Sequence, residues 1–71
     1  MSSDFDKVFG QNVYRLRNEA KLTQEQLAEK ADMSRRFLQE IEAGQKTPSI
    51  LIAARIREAL HCDWEELMKN I

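Results

Sequence analysis

Cysteine, proline and glycine are scarce in this sequence, with one Cys, one Pro and two Gly among 71 residues. The lone Cys62 has no second thiol with which to close an intramolecular disulfide. His61 is the only histidine, so a Cys/His metal site has no ligand set. Cys62 is read as a small apolar filler with no redox role. Long apolar runs are missing too: the longest is Ile50 to Ala54, far too short to cross a bilayer. The first residues, Met1-Ser2-Ser3-Asp4, lack the basic and apolar regions of a secretory leader, so a cytoplasmic location is expected. No nucleophile–base pairing and no phosphate-cradling glycine loop is present, which argues against an enzyme and implies no cofactor.

What is present fits one globular domain over residues 1–71, since 42% of the residues are hydrophobic and 32% charged. A chain of this size buries only about 60% of its unfolded surface, so a second subunit would be a useful source of further burial. The net charge of −1 hides an uneven distribution. Residues 15–57 carry nine basic and six acidic side chains, whereas residues 58–71 carry one basic and four acidic ones. A basic middle suits phosphates, and the acidic end suits a partner or solvent.

Apolar residues recur at helical spacing almost throughout, and no segment alternates like a strand. The sequence predicts an all-α fold with helices at about 4–20, 24–31, 35–43, 50–60 and 64–70. Ser3, Thr23, Ser34, Ser49 and Asp63 are the expected N-caps. Thr23 with Gln26, and Asp63 with Glu66, have capping-box spacing. Gly44 sits where a left-handed residue closes the third helix. Gly10 lies inside the first helix and costs about 1 kcal/mol relative to Ala, so the turns up to Lys7 are expected to fray.

Only Asp32, Met33 and Ser34 separate the second and third helices, and so short a turn makes them cross steeply as a helix-turn-helix. The N-terminal part of the third helix would then meet base edges in a major groove. Ser34, Arg35 and Arg36 occupy it, with Gln39 and Glu40 one turn on. Arginine can grip guanine bidentately, Gln39 can read adenine and Glu40 can accept from cytosine. Which of Gln39 and Glu40 faces bases depends on helix rotation, which the sequence leaves open. The start of the second helix, with Gln24, suits one phosphate. Lys46 and Thr47 with their loop N–H groups suit another. Two adjacent arginines alone are only a solvated face. The conjunction of cap, small Ala28, short turn, second cap, basic first turn and closing Gly44 carries the reading.

The stretch Thr23-Gln-Glu-Gln-Leu-Ala-Glu-Lys-Ala-Asp-Met-Ser-Arg-Arg-Phe-Leu-Gln-Glu-Ile-Glu-Ala-Gly44 resembles the helix-turn-helix of the Cro and lambda-repressor type, the xenobiotic response element family. The resemblance extends to Arg15–Leu22, Pro48-Ser49 and Leu60–Leu67. It implies a compact five-helix, lambda-repressor-like bundle that dimerises on a two-fold symmetric DNA operator. It implies a phosphate contact for Gln24 and places Arg35, Arg36 and Glu40 at or near bases. It further implies a partly buried ion pair between Arg17 and Glu42, which makes both structural, and a packing role for Phe37. Glu40 is acidic where relatives often carry polar or basic groups, which narrows the operators tolerated. His61 stands where relatives usually have a helix-closing glycine, so a conformational cost is expected there.

Leu51 and Ile52 look partly surplus to the core and, with Met68 and Ile71, form a candidate dimer surface with Trp64 at its edge or in the core. A homodimer would set two recognition helices about 34 Å apart, one turn of DNA. The resulting expectation is a transcriptional regulator, in the manner of a repressor, that binds double-stranded DNA without a separate effector domain. The alternative is an antitoxin or other protein-binding module, with a toxin as partner and DNA binding secondary.

Overall fold

Four of the five helices in the computed structural model, which describes residues 4–71, begin at a side-chain cap. The helices are α1 (Asp4–Glu19), α2 (Gln24–Lys30), α3 (Arg35–Glu42), α4 (Ile50–Leu60) and α5 (Trp64–Leu67). The Thr23 hydroxyl accepts from Gln26 N–H (3.0 Å), and the Gln26 side chain accepts in return from Thr23 N–H (2.9 Å). Ser34 caps α3 through Phe37 N–H, Ser49 caps α4 through Ile52 N–H, and Asp63 caps α5 through Glu66 N–H. Each such cap contributes about 1 kcal/mol. The Glu66 carboxylate does not complete the second capping box. It turns instead to Arg15 of α1, 3.5 Å away. Ser3, expected to cap α1, lies outside the described residues.

The first four helices close alike. Lys21, Asp32, Gly44 and His61 take the left-handed conformation, with φ of 59°, 57°, 74° and 54°. The next residue then folds its N–H back over the helix end: Leu22 to Arg17 O, Met33 to Ala28 O, Gln45 to Glu40 O and Cys62 to Arg57 O, at 2.8–3.3 Å. These paired bonds satisfy carbonyls that a helix end would otherwise leave open. Leu22, Met33 and Cys62 also pack against the core, so three of the four closures are fastened by an apolar side chain. Sequence reasoning finds Gly44 and flags His61, but misses Lys21 and Asp32, because neither residue type announces a left-handed turn as glycine does.

All five helices contribute to one core. Phe9 and Val13 of α1, Leu27 of α2, Leu38 and Ile41 of α3, Ile56 of α4 and Leu67 of α5 have no exposed surface. Burial of each large side chain stabilises by roughly 1.5–3 kcal/mol. Gly10 proves to be a packing residue and not a weak point: a Cβ there would lie 2.7 Å from Glu42 O and closer still to Ile41 O. Of the stretch Met1 to Lys7 expected to fray, the first three residues lie outside the described residues, and the rest is corrected. Residues Asp4 to Lys7 are helical, and buried Asp6 accepts a hydrogen bond from the Thr47 hydroxyl (2.8 Å).

α5 is one turn long and stops before the predicted residue 70. Buried Asn12 of α1 explains the stop. Its amide donates to both Leu67 O and Lys69 O at 2.8 Å, and Asn70 then turns left-handed with φ 68°.

Candidate nucleic-acid interface

α2 and α3 bury Leu27, Ala28, Leu38 and Ile41 in the common core, and only the short turn from Ala31 to Ser34 joins them. Burying Leu38 and Ile41 fixes the rotation of α3. Arg35, Arg36 and Gln39 are left exposed, Glu40 half-buried, and Phe37 half-buried against the core. Ser34 is exposed, with its oxygen committed to the cap. Among the described residues no ion pair engages Arg35 or Arg36.

The position of these arginines is electrostatically unfavourable for the helix. A helix N-terminus carries partial positive charge, so a cation there costs about 0.3–1 kcal/mol. α1, α2 and α5 follow the rule with Asp4 and Asp6, Glu25, and Glu65 and Glu66 in their first turns, whereas α3 has no acid and two arginines. A local conflict of this kind, retained on an exposed helix, is expected where the charge has a partner outside the chain.

Behind α3 lies the Arg17–Glu42 pair. Arg17 Nε donates to Glu42 Oε2 (2.7 Å) and Nη2 to Oε1 (3.2 Å), with the two side chains 10% and 5% exposed. Arg17 Nη1 also donates to Leu22 O (2.9 Å), and the guanidinium stands 5.4 Å above the ring of exposed Tyr14. α1, α3 and the α1–α2 turn are thus pinned by one cation. Gln24 joins the same cluster, its Nε2 donating to Glu42 Oε1 (3.0 Å). The sequence gives no sign of this link, because Gln24 and Glu42 are 18 residues apart. Arg17, Thr23, Gln24, Glu25 and Arg35 line an open depression of about 420 Å³ between α2 and α3.

Lys46 is exposed on the α3–α4 loop. Thr47 departs from its expected use. Its hydroxyl donates to Asp6, so it ties the loop to α1, and only its backbone remains for a phosphate. Beyond the α2–α3 face, Leu51 and Ile71 are exposed and Trp64 is 38% exposed, with Arg57 5.4 Å above its ring. Ile52 and Met68, grouped with them from the sequence, are half-buried against the core. Ile50, which the sequence reading passed over as the first residue of a helix, is 74% exposed.

Cys62 is half-buried, and burial followed by the adjacent Asp63 charge pushes its thiol up from the ordinary value. Such a thiol is a poor nucleophile and metal ligand at neutral pH. Among the described residues no group of three or more His, Cys, Asp or Glu is placed to hold a metal ion, and no helix is long and apolar enough to cross a membrane.

The family model described as "Helix-turn-helix" matches residues 13–67. The chain is 32% identical over 65 residues to an uncharacterised HTH-type transcriptional regulator of Sinorhizobium fredii, covering 92% of this chain and 84% of that one. It is 45% identical over 51 residues to an immunity repressor of Bacillus phage phi105, which spans 72% of this chain but 35% of the repressor. Among solved structures, the restriction-modification controller protein of Aeromonas hydrophila superposes with a TM-score of 0.82 at 32% identity, covering 84% of this chain and 91% of that one.

Proposed function

The chain belongs to the helix-turn-helix family of DNA-binding transcriptional regulators, and on that premise we propose that it acts as a cytoplasmic homodimer on a palindromic operator. The observation that carries this reading is the exposed pair Arg35 and Arg36 at the unfavourable end of α3. In the major groove these side chains and Gln39 read base edges, with Ser34 beside them. Glu40, half-buried, reaches bases only from the flank of the helix and restricts the sequences accepted. Gln24 and Lys46 contact phosphates, joined by the backbone of Thr47. These contacts set the register, and the base contacts set the sequence.

Exposed Ile50, Leu51, Trp64 and Ile71 support self-association through α4, α5 and the C-terminal residues, to which half-buried Ile52 and Met68 can add. The relatives are consistent with gene control: one is an immunity repressor and another a controller protein. The reading includes no catalytic step.

Fluorescence anisotropy against a library of duplexes, with the selected site retitrated across salt, tests it. A palindromic site is expected. Arg36→Ala should relax preference at one base pair by about 1–3 kcal/mol, whereas Lys46→Ala should weaken all duplexes alike and reduce the salt slope by about one. Failure of every duplex to bind specifically at low salt overturns the proposal.

A further inference from the structure

Glu42 does two things with its carboxylate. One oxygen, Oε2, accepts from Arg17 Nε, while Oε1 accepts from both Arg17 Nη2 and Gln24 Nε2. A buried carboxylate beside a phosphate-binding surface would ordinarily repel the ligand. Here the bidentate guanidinium neutralises it, and the cluster presents a polar but uncharged support. The Gln24 amide group is planar, with two N–H bonds about 120° apart on one nitrogen. With one N–H bound to Glu42, rotation of the amide about its last side-chain bond is fixed. The second N–H is then held in a set direction at the rim of the depression shared with Arg35.

From this geometry we infer that Glu42 is a positioning residue for DNA binding: braced by Arg17, it orients the Gln24 amide so that its remaining N–H meets a backbone phosphate without first losing rotamer freedom. The inference rests on the DNA-binding reading above and goes beyond a purely structural ion pair. The arrangement couples the three-helix brace to the DNA contact. The charge pair that ties α1 to α3 also determines where α2 offers its donor. An exposed glutamine loses side-chain entropy when it binds, and one already held loses little.

A double-mutant cycle tests the inference on the selected operator duplex, using Glu42→Gln, Gln24→Ala and the double variant, each checked for fold by circular dichroism. Glu42→Gln is expected to weaken binding roughly fivefold, on the scale of one hydrogen bond. In the Gln24→Ala background the same substitution should change affinity by less than about twofold. An equal effect in both backgrounds would mean that Glu42 acts only through the fold, and the inference fails.

Should Glu42→Gln unfold, relaxation of the side-chain amide ¹⁵N in the wild-type protein gives an independent answer. Gln24 should be markedly more rigid on the ps–ns timescale than exposed Gln11 or Gln45. Equal mobility overturns the inference. A wild-type protein that binds no duplex removes the DNA reading itself, whereas wild-type binding with an additive cycle removes only the role of Glu42.

Discussion

Gly10 of α1 lies against the last turn of α3, where an added Cβ would come within 2.7 Å of the Glu42 carbonyl oxygen. The contact is backbone against backbone, so neither side can give way by a rotamer change. Alanine is about 1 kcal/mol better than glycine in a helix interior, and a reading from propensity alone would expect Gly10→Ala to stabilise. The opposite is expected: overpacking costs about 1–3 kcal/mol, and the α1–α3 crossing that carries the Arg17–Glu42 pair is forced apart. The urea midpoint should fall with an unchanged slope. A rise in the midpoint would show that the crossing has room.

His61 offers the reverse case. It closes α4 in the left-handed region, φ 54° and ψ 38°, with a Cβ that this conformation disfavours. That conformation costs an L-residue about 1–2 kcal/mol, against about 0.5–1 kcal/mol of added backbone entropy lost by a glycine. His61→Gly should therefore stabilise by up to about 1 kcal/mol, or roughly 4–8 °C in Tm for a domain this small. Asp32→Gly should gain less, since aspartate tolerates the region better. Thermal melts of the two variants side by side check the order, and equal or negative shifts at His61 would refute it.

Asn12 holds the C-terminal turn by two carbonyls from a buried position. Asn12→Ala leaves the carbonyls of Leu67 and Lys69 without that donor, at a cost of about 1–3 kcal/mol. The loss should be local. Amide exchange in residues 64–71 should quicken well before that in α2 and α3, to which the Asn12 amide does not donate. Uniform acceleration across the chain would mean instead that α5 and the core open together.

The parts legible in the sequence are those written in short-range patterns. Helix starts could be read because Thr23, Ser34, Ser49 and Asp63 precede apolar periodicity, and their caps act within three residues. The apolar stripe of α3 could be read from Phe37, Leu38 and Ile41, but the rotation that leaves Gln39 exposed and Glu40 half-buried is visible only in the structure. What escaped depends on contacts between distant segments. Asn12 and Leu67 are 55 residues apart and Asp6 and Thr47 are 41 apart, and Asn12, Asp6 and Thr47 are residue types that read as surface or loop from sequence. Gly10 was misjudged for the same reason. Its value lies in a neighbouring helix, which a propensity scale does not contain. The Arg17–Glu42 pair was found only through the family resemblance, and its extension to Gln24 was not found at all.

The last prediction concerns self-association, and the protein carries its own reporter. Trp64 is the only tryptophan, partly exposed beside Arg57, and like Leu51 and Ile71 it belongs to the proposed dimer surface. If that surface forms the dimer, dilution through the dissociation constant should shift Trp64 emission to longer wavelength as water reaches the ring. Sedimentation should report the same midpoint. Leu51→Glu puts a charge into an apolar contact that has no partner for it, and desolvating an unpaired carboxylate is costly. The dissociation constant should rise by at least about tenfold, a change of 1.4 kcal/mol. Because Leu51 is exposed, the fold of the monomer should be unaffected. Operator binding should then lose affinity while keeping its sequence preference, the converse of Arg36→Ala, which should relax preference and leave self-association intact. If Leu51→Glu changes neither the emission nor the sedimentation midpoint, the dimer surface lies elsewhere, and the exposed Ile50 and Ile71 become the next positions to substitute.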